Sequence, residues 1–266
     1  MNSLHYLSYG PVTAKPLVFL HGFLGSAEDW AETIESFTRS YRCILVDLPG
    51  HGKSVGYSDP GMYSFEGACA AVCALVDELL LRDPTLIGYS MGGRLALSMA
   101  MTSARFGAAV ITSASPGLEM EGEREARRAW DQALAERILT QPLPQFLQDW
   151  YGGPLFKDFS GQKDLLNRTL ERRGRNDPGE LALSLRGMSL GVQPSIWNRL
   201  AGGSIPMMFI AGEQDDRYSK LMGKMAALVP GARLEIIPEC GHALHVERPS
   251  TYANSIQSFL ESLPAT

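Results

Sequence analysis

Three residues far apart in the chain, Ser90, Asp215 and His242, have the types that a nucleophilic or proton-abstracting centre needs. Ser90 stands in Gly88-Tyr89-Ser90-Met91-Gly92, a G-x-S-x-G pentapeptide between an apolar run and a helix-like stretch. In that context the chain turns sharply and lifts the hydroxyl above a sheet, and the glycines remove Cβ atoms that would collide there. A serine hydroxyl needs a base to take its proton and an acid to orient that base, and in this kind of fold they follow in the order Ser, Asp/Glu, His. Of the five histidines, His242 follows the last apolar run, RLEIIPEC, in the loop GHALHVERP. Asp215 ends the preceding run, FIAGEQDD, and is the candidate acid, with its neighbour Asp216 as the competing choice. After an early strand, the turn His21-Gly22-Phe23 can aim a backbone N–H at the point reached by the N–H after the nucleophile. Phe23 and Met91 are therefore the expected oxyanion-hole donors. His21 is expected to hold that loop by hydrogen bonds, His51 and Asp47 to order the loop DLPGHGKS, and His5 to be an exposed strand residue.

Arg94, four residues after the serine, narrows the chemistry. Burying a guanidinium without a counter-charge is expensive, so an apolar ester pocket explains it poorly, whereas a substrate carboxylate would repay it. Pairing with an acidic residue of the protein is the alternative. Between Pro116 and Leu200 the chain carries ten of its 18 arginines but only two lysines. Most arginines on charged helical faces are simply solvated, but one pointing inward supplies a bidentate clamp for a carboxylate or phosphate.

These groups need a scaffold. Apolar runs recur at Leu17–Leu20, Arg42–Val46, TLIGYS, AAVITSAS, IPMMFIAG and RLEIIPEC, each closed by turn residues. Helix-length segments such as Phe65–Leu81 and Ser250–Leu263 separate them. Continuous apolar strands alternating with helices predict an α/β fold, with a mostly parallel, doubly wound sheet covered on both faces. The stretch 116–200 breaks the rhythm with four helical patterns and no buried strand. The expected organisation is an α/β core of residues 1–115 and 201–266 with an inserted helical lid, 116–200. Asp177 followed by Pro178 marks the start of the last lid helix.

Composition is that of an ordinary globular protein: 45% hydrophobic, 20% charged and a net charge of −5. The mild acidity argues against nucleic acid as a partner. Four cysteines without a CxxC pair suggest neither a zinc site nor a disulfide framework, so no metal ligands are expected. With no secretory leader pattern and no 18-residue apolar run, membrane insertion is not expected and a cytoplasmic location is. Oligomeric state leaves no trace in the chain.

The motifs FLHGFLGSAEDW, VDLPGHGKS, GYSMGGRLAL, SASPGLEMEGEREARRAWD, FLQDWYGGPLF, RNDPGELALSLRGMSLGVQPSIW, GEQDDRY and GHALHVERP span nearly the whole chain. Together they resemble the 2-succinyl-6-hydroxy-2,4-cyclohexadiene-1-carboxylate synthase family, lyases of α/β-hydrolase fold in menaquinone and phylloquinone biosynthesis. The resemblance implies proton abstraction from a cyclohexene bearing succinyl, carboxyl and enolpyruvyl groups, with elimination of pyruvate. It implies a small polycarboxylate substrate and no cofactor, because no step needs redox chemistry or a Lewis acid. It also implies Ser90, Asp215 and His242 as the triad, with Tyr89, Arg94, Arg127, Trp150, Arg173 and Arg217 binding substrate. Arg217 stands where the family commonly carries lysine. A serine hydrolase of an acidic ester or C–C bond uses the same triad, and a small-molecule receptor is a third, non-catalytic use of the fold.

Overall fold

Seven strands form one sheet: β1 (Tyr6–Tyr9), β2 (Lys15–Leu20), β3 (Tyr41–Val46), β4 (Thr85–Tyr89), β5 (Ala108–Thr112), β6 (Met207–Gly212) and β7 (Arg233–Ile237). Their spatial order is β1-β3-β2-β4-β5-β6-β7; β1 runs antiparallel to β3 and every other pairing is parallel. The structure is a computed structural model and describes residues 3–156 and 162–264. Six strands coincide with the apolar runs, because strands covered on both faces must be apolar on both. The seventh, β1, was not among them: four half-exposed edge residues, YLSY, make no such run.

Beside four short 3-10 helices, the described chain holds ten α-helices: α1 (Ala31–Ile34), α2 (Phe65–Glu78), α3 (Met91–Thr102), α4 (Glu121–Thr140), α5 (Leu143–Tyr151), α6 (Lys163–Arg173), α7 (Pro178–Gly187), α8 (Asp216–Leu228), α9 (Leu244–Glu247) and α10 (Pro249–Ser262). Alternation along each strand splits the core in two. Leu17, Phe19 and Leu45 pack with Trp30, Tyr252 and Phe259 on one side of the sheet, and Val18, Leu20 and Ile44 pack with Val72, Leu95 and Met222 on the other. The α/β class expected from the sequence is the class observed.

Between β5 and β6 the described chain contains α4 to α7 and no strand. Asp177 caps α7, its Oδ1 accepting the Glu180 N–H at 2.9 Å, with Pro178 in the first turn. The expected lid and core spans include residues 157–161, 1–2 and 265–266, which lie outside the described residues. No described helix is long and apolar enough to cross a membrane.

Strand order locates the site. From β2 the chain steps outward to β3, then returns past β2 to β4, so the loops leaving β2 and β4 diverge and open a crevice beyond the strand ends. His21-Gly22-Phe23 leaves β2 and Ser90 leaves β4.

Buried histidines hold the walls of this crevice. His21 donates from Nδ1 to the Gly22 carbonyl at 2.8 Å and accepts the Leu48 N–H at Nε2; His51 donates to Pro49 O and accepts the Leu24 N–H. His5 is not the exposed strand residue expected: it is partly buried, precedes β1, and meets Asp47 Oδ2 at 2.7 Å. His245, in α9, lies between the rings of Trp30 and Tyr89 with neither ring nitrogen hydrogen-bonded among the described residues. Burial lowers the pKa of His21, holds His51 well below the usual imidazole value, and pushes His245 down to about 3.

These three shifts set the acid behaviour. Each histidine is neutral when folded and titrates near 6.5 when unfolded, so the unfolded chain binds more protons below that pH. The stability they contribute is intact above pH 6.5 and is lost as pH falls toward the folded values, by about 1.4 kcal/mol per unit for each strongly depressed group. Urea midpoints measured from about pH 7 to pH 5 should fall, and His245→Phe should flatten the slope by one proton's share. Identical midpoints across that range would refute this account.

Candidate active site

The turn from β4 into α3 is built on close approaches. Ser90 adopts φ 51° and ψ −111°, a strained conformation for a residue with a side chain. Its neighbour Gly92 donates its N–H to His21 O at 3.0 Å, and a Cβ at Gly92 would lie 2.3 Å from the Leu20 carbonyl oxygen. At Gly88 a Cβ would meet Gly92 O at 2.5 Å. Both glycines of the pentapeptide are therefore required by space. The reward is a serine hydroxyl standing at the crevice.

From Ser90 a chain of hydrogen bonds runs through His242 to Asp215. The hydroxyl lies 3.3 Å from His242 Nε2, and His242 Nδ1 donates to Asp215 Oδ2 at 2.6 Å. His242 and Asp215 are both buried. The competing Asp216 is exposed and pairs instead with Lys220, 2.7 Å away. The loop carrying His242 is gripped on both sides by buried Glu247, whose carboxylate accepts the Gly241 N–H at 2.8 Å and the Ala243 N–H at 2.9 Å. Phe156 meets the His242 ring edge-on at 5.8 Å and Tyr218 lies 4.8 Å from it, which fixes its plane.

Beside Ser90, the backbone N–H groups of Phe23 and Met91 have no acceptor among the described residues, whereas the Ser90 N–H bonds Thr112 O. Met91 opens α3 and so has no acceptor within the helix. The two residues flank the serine in the same pocket and offer donors to an anion.

The pocket has a volume of about 870 Å³. The strand-end loops form its floor; residues of α4 and α5 and the Met188–Leu190 turn wall it. Arg94, Arg127, Trp150 and Arg217 all line it. Arg94 donates from Nη1 to Gln193 Oε1 at 2.9 Å and from Nη2 to Met188 O at 2.8 Å, both neutral acceptors. Burial, and then the Arg127 cation, push its pKa down to about 10. Arg127 bonds Asp131 through Nε at 2.8 Å and lies over the Trp130 ring. Trp150 stacks on Phe146 and meets Phe23 edge-on, and exposed Arg217 stands at the mouth.

Two of the expected binding residues lie elsewhere. Arg173 is buried outside the pocket wall, paired with Asp29 and donating to the Tyr151 hydroxyl at 3.0 Å. With an acid in contact, its guanidinium is held above the usual arginine pKa despite burial. Tyr89 is buried behind the site, with its ring 5.3 Å from that of His242 and 4.3 Å from that of His245, and burial raises its phenol pKa well above normal. One cation of the pocket escaped the sequence reading. Arg137 lies on the face of α4 that carries Arg127, Asp131 and Leu134, so helical spacing alone pointed to it; it pairs with Asp149 at 2.9 Å.

The fold and this site define the class. The chain belongs to the alpha/beta hydrolase family, whose model matches residues 17–255. Within it, the chain belongs with the 2-succinyl-6-hydroxy-2,4-cyclohexadiene-1-carboxylate synthases. It is 38% identical to the Bacillus subtilis (strain 168) protein given that name, over 96% of this chain and 93% of the relative. The synthase of Escherichia coli (strain SMS-3-5 / SECEC) is 32% identical over 92% and 93% of the two chains. Among solved structures, MenH from S. aureus superposes with a TM-score of 0.91 at 32% identity, covering 97% of this chain and 98% of that one.

Proposed function

We propose that this protein is a 2-succinyl-6-hydroxy-2,4-cyclohexadiene-1-carboxylate synthase: a lyase of menaquinone or phylloquinone biosynthesis that eliminates pyruvate from 2-succinyl-5-enolpyruvyl-6-hydroxy-3-cyclohexene-1-carboxylate. The observation that carries this reading beyond the similarity is Arg94, a guanidinium lining the same pocket as Ser90 and held, among the described residues, by neutral acceptors. A carboxylate on the substrate would repay the cost of keeping that charge there. Arg127 and Arg217 line the same pocket, which suits a ligand with more than one carboxylate.

In this reading Ser90, His242 and Asp215 are a catalytic triad. His242 Nε2 takes the hydroxyl proton as Ser90 Oγ removes the proton next to the succinyl carbonyl, and Asp215 stabilises the resulting imidazolium. Negative charge then develops on the carbonyl oxygen, within reach of the Phe23 and Met91 N–H groups. As the C–O bond to the enolpyruvyl group breaks, the proton on His242 is available to the departing pyruvate. Helices α4 to α7 act as the lid over this chemistry, and Arg173 is a strut rather than a ligand: its ion pair with Asp29 ties the lid to the loop after β2.

The test is a spectrophotometric assay on the enolpyruvyl cyclohexene precursor generated in situ, following diene absorbance while lactate dehydrogenase reports released pyruvate. Diene and pyruvate should appear in equal amounts. Release of neither product, with cleavage of an acidic ester instead, would replace the lyase by a hydrolase working through the same triad.

A further inference from the structure

Two arginines withdrawn from the surface, Arg173 buried and Arg94 partly buried, are treated in opposite ways. Arg173 is neutralised by Asp29, whereas Arg94 makes no ion pair with any acid within 4.0 Å among the described residues. Its guanidinium is tethered to the side-chain amide of Gln193 and to the Met188 carbonyl. Asp131, an acid of the same pocket, is already engaged by Arg127 and by the Ser189 hydroxyl.

Gln193 is fully buried, and its two ends are committed. Its Nε2 donates to Ser115 O at 3.2 Å while its Oε1 accepts from Arg94. Turning the amide over would set its NH₂ against a guanidinium and its oxygen against a carbonyl, so the orientation is locked. We propose that Gln193 is a specificity-determining positioning residue: it fixes the geometry of Arg94 with a neutral acceptor, leaving the positive charge uncompensated and reserved for a substrate carboxylate. An acid at this position would offer the same reach but would satisfy the arginine internally. The inference rests on reading Arg94 as a carboxylate anchor, and it predicts what the amide adds to that anchor.

The experiment compares Gln193→Glu with Gln193→Met, which keeps the volume and removes both polar ends. Steady-state kinetics are measured together with calorimetric binding of 2-succinylbenzoate, an aromatic analogue that keeps two carboxylates and has no pyruvate to lose. Q193E should raise KM and the analogue Kd by roughly ten- to a hundredfold, as expected for losing one hydrogen-bonded interaction with a charged group. Its kcat should stay within a fewfold of wild type, because the triad is untouched. Q193M should lose several-fold less affinity, since Arg94 keeps its charge and its Met188 tether. Melting curves establish that both variants are folded; should Q193E fail to fold, Gln193→Asp supplies the acid in its place.

Equal weakening by the acid and by methionine would mean that Gln193 supplies geometry alone, and unchanged affinity in Q193E would mean that it supplies neither; either overturns the proposal. The binding arm does not depend on turnover. If wild type binds the analogue and Q193E does not, yet neither converts the cyclohexene precursor, the charge-reserving role stands and the synthase reading falls. If wild type does not bind the analogue, Arg94 is no carboxylate anchor and the proposal fails with it.

Discussion

Ser90→Ala should still fold and bind the cyclohexene, yet release diene and pyruvate roughly a hundred- to ten-thousandfold more slowly, the range expected for losing a positioned proton acceptor. The loss should fall on kcat and leave KM nearly unchanged, because the hydroxyl contributes mainly in the transition state. Folding is not the obstacle: alanine at φ 51° is strained much as serine is, and the Gly88 and Gly92 approaches that shape the turn remain. Progress curves at saturating substrate, with a melting curve on the same sample, separate chemistry from stability. Turnover within a fewfold of wild type would show that His242 takes the substrate proton directly and that the serine is a bystander.

Arg94→Ala should cost kcat/KM about 2–5 kcal/mol, or roughly thirty- to several-thousandfold, the usual penalty for truncating one partner of a desolvated charge pair. Arg94→Lys should recover only part of this. An ammonium keeps the charge, but it cannot bond Gln193 Oε1 and Met188 O in the arginine's fixed planar geometry while facing the substrate. A neutral fluorophosphonate separates anchoring from chemistry, since it should label Ser90 at the wild-type rate in Arg94→Ala. Near-normal kcat/KM in that variant would remove the main physical argument for a carboxylate substrate.

How far the sequence reached follows from which interactions are local. The apolar strands were legible because burial on both faces leaves a continuous signature, and the serine turn because its glycines are a steric necessity within five residues. The sequence put Asp215 ahead of Asp216 as the acid; what it did not carry was the direction of α8, which sends Asp216 outward to Lys220. The arginines were harder. Whether a guanidinium meets a protein acid depends on residues far away in the chain: Arg173 finds Asp29, and Arg94 finds none among the described residues. The grips of Gln193 on Arg94 and of Glu247 on the His242 loop had no signature, since each consists of hydrogen bonds made only once the tertiary structure has assembled.

The parts of the site also enter the chain in a telling order. Phe23, Ser90, the helices α4 to α7 and Asp215 all precede β7, and His242 with its Glu247 grip follows it. During synthesis Ser90, Asp215 and the pocket cations therefore emerge ahead of His242, the proposed base. On the proposed mechanism, a chain that stops short of residue 242 holds a serine with nothing to activate it. On the same mechanism such products lack the base, which enters the chain only after the last strand, β7.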